Sequence, residues 1–247
     1  MTLPAELPVH KLQFYVTTPY ACGYLPGKMA QSLIATPQHL VNATIYNGLI
    51  QQGFRRSGKF SYRPHCENCR ACIAVRLVLA DFSPSRSQKR AYKQHVDLTA
   101  RVMPVAFNET HFALYQAYQT ARHSPVEGVE NVEIKDEAEQ YRQFLCTSNV
   151  ESLMIEFCDA AGALKIVSVI DVLNDGVSAV YTFYDTHLEA GDTKASFGTF
   201  SIVWLASWAK SLGLDYLYLG YWIEKSQKMS YKQAFKPQQL LIDGEWL

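Results

Sequence analysis

The chain has 247 residues, 48% of them hydrophobic, with 23 basic side chains balanced by 23 acidic ones. That length suits one large domain, or a small module fused to a medium one, with a sizeable core. Zero net charge excludes a global pull toward nucleic acid, so any such binding must come from a local patch.

The opening stretch MTLPAELPVHKLQFYV has no basic segment ahead of an apolar core, and no run of about 18 apolar residues occurs. Neither a signal peptide nor a membrane span is expected. Six cysteines, four of them before residue 73, fit a reducing, cytoplasmic setting.

Residues 1–35 carry Pro4, Pro8, Pro19, Pro26 and Gly27 and read as strand and loop. Thr36-Pro37 predicts a helix start, with Leu40, Val41, Thr44, Ile45 and Leu49 as the inward stripe and Gly53 as the stop. FRRSGKFSYRPHCENCRAC reads mostly as loop and IAVRLVLADF as a strand. Ser83-Pro84 opens a short helix, SPSRSQKRAYKQH, and DLTARVMPV alternates as a strand. Helices fit roughly 109–122 and 135–146. Strands fit 151–158, 164–173 and 177–185, the last two joined by a turn at Asn174-Asp175-Gly176. A nearly all-apolar helix from about Phe197 to Leu212 should be buried. DYLYLGYWI is a strand, and SQKMSYKQAF a short basic helix stopped by Pro237.

The second half thus reads as helices, three antiparallel strands, a buried helix, a strand and a helix. That order resembles the GNAT acyltransferase fold. The expected class is α/β (α+β), with a cysteine-bearing N-terminal region 1–80 and a GNAT-like domain 81–247. The loop that cradles coenzyme A in that fold is missing from GDTKASFGTF. Fold alone gives no function.

Longer motifs narrow the choice: YACGYLPG, GFRRSGKFSYRPHCENCRACIAVR, FSPSRSQKRAYKQHVDL, DVLNDGVSAVYTFYD, ASFGTFSIVWLASWAKSLGLDYLYLGYWI and SQKMSYKQAFKPQQLLIDGEW. With these, the chain from residue 12 on resembles the bacterial aspartate/glutamate leucyltransferases, short relatives of the eukaryotic arginyl-tRNA–protein transferases. The resemblance implies that leucine moves from leucyl-tRNA to the α-amine of proteins beginning with Asp or Glu, marking them for N-end rule degradation. Leu25 stands where the arginyl relatives carry a second cysteine, which favours the leucyl branch. The rivals are arginine transfer by the same chemistry, a coenzyme A-dependent N-acetyltransferase, and a non-catalytic zinc-bearing RNA-binding protein.

Aminolysis of an activated ester has no obligatory metal or cofactor, because an α-amine with a pKa of about 7.7–8.0 is partly free at neutral pH. It needs two substrates held in register, helped by a base and by oxyanion donors. Tyr181, Tyr184, Asp185 and Tyr221 end the strands that would flank the groove. Asp185 is the candidate for amine positioning or base work; a turn aspartate and core tyrosines are the plainer alternatives. Ser196, Gly198 and Thr199 open the buried helix, whose free N–H groups suit a phosphate near the tRNA 3′ end, or simply an ordinary helix start.

Arg86, Lys89, Arg90 and Lys93 share one helix face. Lys225, Lys228, Lys232 and Lys236 form a second stripe with Tyr231 among them. Phosphate contact and base stacking suit both stripes, and so do solvated faces. An acidic N-terminal side chain calls for an arginine fork, Arg55 or Arg56, unless these pair with a core carboxylate or with RNA. Cys66, Cys69 and Cys72, with Cys22 as the fourth thiolate, suit zinc or an iron–sulfur cluster, and His65 offers a substitute imidazole. Otherwise they are reduced thiols beneath the site, with Cys22 and Tyr24 lining the substrate cleft. Cys146 and Cys158 read as small core residues.

Overall fold

The computed structural model describes residues 11–122, 137–187 and 196–247. Strands β1 (Gln13–Val16), β2 (Tyr20–Ala21), β3 (Met29–Ala30) and β4 (Ser32–Thr36) lead to helix α1 (Ala43–Gln51). The hairpin β5 (Arg55–Ser57) and β6 (Phe60–Pro64) follows, then β7 (Ile73–Val78), α2 (Arg86–Gln94) and β8 (Thr99–Pro104). Helix α3 (Glu109–Arg122) precedes α4 (Glu137–Tyr141), which runs into a π turn at Arg142–Cys146. The meander β9 (Ser152–Cys158), β10 (Leu164–Val172) and β11 (Gly176–Tyr184) leads to α5 (Phe197–Ser211) and β12 (Tyr216–Trp222). A 3-10 turn (Ser230–Ala234), β13 (Gln238–Ile242) and β14 (Glu245–Trp246) close the chain.

An eight-stranded sheet runs in the order β14-β13-β7-β12-β11-β10-β9-β8, and a four-stranded sheet runs β1-β4-β6-β5. The class is mixed α+β, as expected. Helix α5 is apolar nearly all round because it is buried: Phe200, Val203, Leu205, Ala206 and Ala209 pack with Leu77, Phe157 and Leu217. Each large side chain buried this way contributes about 1.5–3 kcal/mol. Among the described residues no helix is long and apolar enough to cross a membrane.

Four departures from the sequence expectation have physical causes. Thr36 ends β4 and opens no helix, since a residue before proline is steered away from the α region. The helix begins after Asn42, whose side chain accepts from Ile45 N at 3.0 Å. FRRSGKFSYRP is a hairpin, turning at Gly58 (φ +58), where a Cβ would collide with the carbonyl oxygen of Gln143. Helix α2 starts two residues late, because Ser85 and Gln88 close a capping box. Finally, β7 lies in the main sheet between β12 and β13, so a boundary at residue 80 falls just past a strand central to that sheet. Residues 135–136 of the helix expected over 135–146, and all of GDTKA in the stretch before α5, lie outside the described residues.

The feature that positions the site is a parting of two strands. β11 and β12 pair in parallel only from Gly176–Ser178 to Tyr216–Tyr218. Beyond that, each carries a register shift against its other neighbour, β11 at Val169/Ile170 of β10 and β12 at Tyr218/Gly220 against β7. Such shifts bend a strand and increase its twist. The two strands diverge and leave a notch between them.

Candidate active site

Arg55 fills the apex of the notch. Its Nη2 donates to Ala179 O on β11 at 3.0 Å and to Tyr218 O on β12 at 3.4 Å, and so bridges the two strands where they part. Gly220 supplies the φ of +82 that the backbone takes beside Arg55, a conformation that other residues rarely adopt, and a Cβ there would stand in ordinary contact, 3.5 Å from Arg55 Nη2. Arg55 is 8% exposed. Among the described residues its Nε and Nη1 have no hydrogen-bond partner, and no carboxylate pairs with it. Burial holds the phenols of Tyr62 and Tyr221 above the usual range, and the nearby Arg55 charge pulls both back.

Lys232 belongs to the same cluster. A 3-10 helix repeats every three residues, so Met229, Lys232 and Phe235 turn inward together. Lys232 is 5% exposed, and its Nζ donates to Tyr221 O at 2.6 Å and to Met229 Sδ at 3.4 Å. Burial, and next the Arg55 charge, bring its ammonium down to about 7. The expected stripe of Lys225, Lys228, Lys232 and Lys236 therefore loses its third member. It rested on an α-helical period, and the backbone is a 3-10 turn. Lys225, Lys228 and Lys236 are exposed. An inward three-residue pattern, Met-x-x-Lys-x-x-Phe, is the signal that the sequence did carry.

Other expected site residues are already engaged. Arg56 is not available to a substrate: its guanidinium pairs with buried Asp171 at 2.7 Å and donates to Ser152 Oγ at 3.1 Å. Asp185 is not a free base. It accepts from Lys165 Nζ at 3.2 Å and from His187 N at 3.0 Å, and Lys165 sits on β10, on the side of β11 away from the notch. The Tyr221 hydroxyl donates to Gly53 O at 2.7 Å, which ties β12 to the end of α1. Tyr181 accepts from Gln119 at 3.0 Å inside an aromatic cluster, and burial pushes its phenol up to about 12.

The open end of the notch keeps its candidates together. The Tyr184 ring lies 5.9 Å from that of Phe197 in the first turn of α5 and 4.9 Å from that of Tyr118, and its hydroxyl accepts from Arg122 at 3.3 Å. Gly198 borders the same ring, and a Cβ there would make ordinary contact with Tyr184 at 3.8 Å. Thr199 is half-buried in the same turn, and Ser196 does not cap the helix with its side chain. Tyr231, 48% exposed, lies near Tyr184 on the other wall. On α2, Gln88 and Ala91 face inward, which leaves Arg86, Lys89, Arg90 and Lys93 exposed.

Comparison with known proteins places this geometry. The family model "Arginine-tRNA-protein transferase, C terminus" matches residues 110–242, and its N-terminal counterpart matches residues 20–90. The chain belongs to the arginine-tRNA–protein transferase family. Within that family it is 62% identical to the aspartate/glutamate leucyltransferase of Methylobacillus flagellatus, over 100% of this chain and 95% of the relative. It is 49% identical to the enzymes of the same name from Polynucleobacter asymbioticus (100% and 98% covered) and Nitrosospira multiformis (98% and 92% covered). Among solved structures, that of L-PGS from Bacillus licheniformis aligns with 63% of this chain and 48% of its own at 13% identity and a TM-score of 0.44.

The N-terminal cysteines of this transferase-family chain share one corner. Cys22, Cys66, Cys69 and Cys72 are all free and half-buried. Burial, then the neighbouring Cys22, Cys66 and Cys69, push the Cys72 thiol up to about 12. The fold brings Cys22 toward the other three, and four thiols are a donor type that suits zinc or an iron–sulfur cluster. As placed, however, no three His, Cys, Asp or Glu side chains among the described residues are set to hold a metal ion. His65 is exposed. Tyr24 lies near Tyr62 and Cys72, so the thiol corner borders the Arg55 cluster.

Proposed function

We propose that this chain moves leucine from leucyl-tRNA to the N-terminal α-amine of proteins that begin with Asp or Glu, working in the cytoplasm where charged tRNA is found. The observation that carries this reading is Arg55: a buried guanidinium in the notch, with Nε and Nη1 unused and no carboxylate beside it. Such a cation is costly to bury alone, and the planar fork suits a carboxylate. The side chain of an N-terminal Asp or Glu supplies one.

With that carboxylate on Arg55, the adjacent α-amine lies in the notch. Its lone pair attacks the carbonyl carbon of the leucyl ester. The bond from that carbon to the ribose oxygen breaks, a peptide bond forms, and the proton lost by the amine ends on the ribose hydroxyl. The ester is already activated, so the chain's main work is to hold both partners in register. The basic face of α2, Arg86, Lys89, Arg90 and Lys93, together with Lys225, Lys228 and Lys236, takes the tRNA backbone. The first turn of α5 and Tyr231 flank the path of its unpaired 3′ end. The acidic residue at that end, Asp185, is tied to Lys165, which favours an apolar transferred side chain over a cationic one.

The test is a transfer assay with tRNA charged with labelled leucine or arginine and peptides that begin with Asp, Glu, Lys or Ala. Leucine is expected on the Asp and Glu peptides alone. Transfer from arginyl-tRNA would replace leucine by arginine in the reading, and no transfer from either would overturn it.

A further inference from the structure

We propose that Lys232 is a specificity-determining residue: with Arg55 it makes a two-cation receptor for the side-chain carboxylate of the substrate's first residue. This rests on the transferase reading above and assigns a role within it.

The buried arginines and lysine among the described residues differ in their partners. Arg56 pairs with Asp171. Arg76 stacks 3.6 Å from the Tyr216 ring centre and 4.4 Å from that of Trp246, and donates to Gln239 and Gln51. Arg76 thus has neutral side chains and rings around its guanidinium, whereas Arg55 meets two backbone carbonyls and Lys232 a carbonyl, the Met229 thioether and, 5.6 Å away, the Tyr231 ring, with no acidic side chain at either. The two meet consecutive residues of β12: a Cβ on Gly220 would stand 3.5 Å from Arg55 Nη2, and Lys232 Nζ donates to Tyr221 O at 2.6 Å.

Carbonyl dipoles offset part of the cost of a buried cation but leave its charge uncompensated. Two such cations beside each other repel and raise that cost. A carboxylate relieves both at once, whereas the amide of Asn or Gln, of the same shape, brings no charge. Lys232 is held in place for this. Its Nζ is fixed by Tyr221 O, Tyr221 is fixed by Gly53 O, and the third ammonium hydrogen has no hydrogen-bond partner among the described residues. The pair therefore discriminates Asp and Glu from Asn and Gln more sharply than Arg55 alone.

The experiment measures steady-state leucine transfer to peptides beginning with Glu, Asp, Gln or Asn, with wild type, Lys232→Met and Lys232→Arg. Lys232→Met is expected to raise the KM for Glu and Asp peptides about ten- to a hundredfold. The KM for leucyl-tRNA should stay within about twofold, and the preference for Glu over Gln should shrink in proportion. Lys232→Arg, which keeps the charge, should retain most of that preference while its longer fork changes the Glu-to-Asp ratio. Thermal melts identify a variant that does not fold, in which case the Lys232→Arg ratio decides. An unchanged preference in Lys232→Met, or an unchanged Glu-to-Asp ratio in Lys232→Arg, overturns the receptor. Wild type that transfers leucine to no peptide at all overturns the transferase reading instead.

Discussion

Arg55 and Arg56 are neighbours on one short strand and live in opposite electrostatic worlds. The Arg56 guanidinium meets both Asp171 oxygens, at 2.7 and 2.9 Å from Nε, and Ser152 Oγ donates to the same carboxylate at 2.7 Å. Gly58 O and Thr147 O accept from its Nη1. This network is complete, and it ties the β5–β6 hairpin to β9 and β10. Arg55 points to the parted strands and finds only two carbonyls. The difference teaches where structure ends and recognition begins. A buried charge whose partners all come from the chain fixes the fold. A buried charge left open breaks the local rule, as functional sites do, and is the place where a partner from outside the chain would complete it.

The comparison breaks first at its closed end. Removing one partner of a buried pair strands the other, so Asp171→Ala is expected to destabilise the protein by about 3–5 kcal/mol, read as a lower urea midpoint. A loss below about 1 kcal/mol would mean that Arg56 is not held as described. At the open end the effect moves from stability to function. Arg55→Met should cut kcat/KM for Glu and Asp peptides on the order of a hundredfold, while its melting temperature falls far less than that of Asp171→Ala. If both variants lose stability alike, the two arginines are equivalent and the notch is not a binding site.

Much of the frame was legible in the chain. The meander β9–β11, the turn at Asn174, the buried α5 and strand β12 follow from alternation, turn chemistry and an all-round apolar helix, all local signals. The one-sided charge of α2 was equally plain. What was not legible depended on partners far away in sequence. Nothing near Arg56 announces Asp171, and nothing near Asp185 announces Lys165 on another strand. Their engagement is visible only once the sheet is assembled. The parting of β11 and β12 arises from register shifts against their outer neighbours, which no window on one strand contains. Lys232 failed for a subtler reason: the choice between a 3.6- and a three-residue period decides whether it faces water or core, and five residues are too few to settle that choice from pattern.

Lys232 also sharpens the comparison through pH. Its folded pKa, about 7, lies below the ordinary lysine value of 10.5. Between those two values the unfolded chain binds the proton and the folded chain does not, so this group makes stability rise as pH increases from 7 toward 10.5. Below pH 7 its destabilising effect is present in full. Lys232→Met removes it and also leaves Tyr221 O without its donor, a fixed loss at every pH. The shift in melting temperature, variant minus wild type, should therefore be more positive at pH 6 than at pH 9. An equal shift at both would mean that Lys232 keeps an ordinary pKa and is not pressed by Arg55.

The smallest effect belongs to Tyr221, which stands between the two worlds. Its hydroxyl serves the fold through Gly53 O, and its carbonyl serves the notch by holding Lys232. Tyr221→Phe deletes only the first of these. One neutral hydrogen bond is lost and the Gly53 carbonyl is left without that donor, a cost of about 1 kcal/mol. Because the Lys232 anchor is a backbone oxygen, it survives the substitution, and so does the ring that packs with Ala74 and Ile223. Transfer to Glu peptides should keep its kcat and KM within about twofold, while the urea midpoint drops slightly. A tenfold fall in kcat with the midpoint unchanged would give the phenol a part in the chemistry and move the line between fold and site one residue further out along β12.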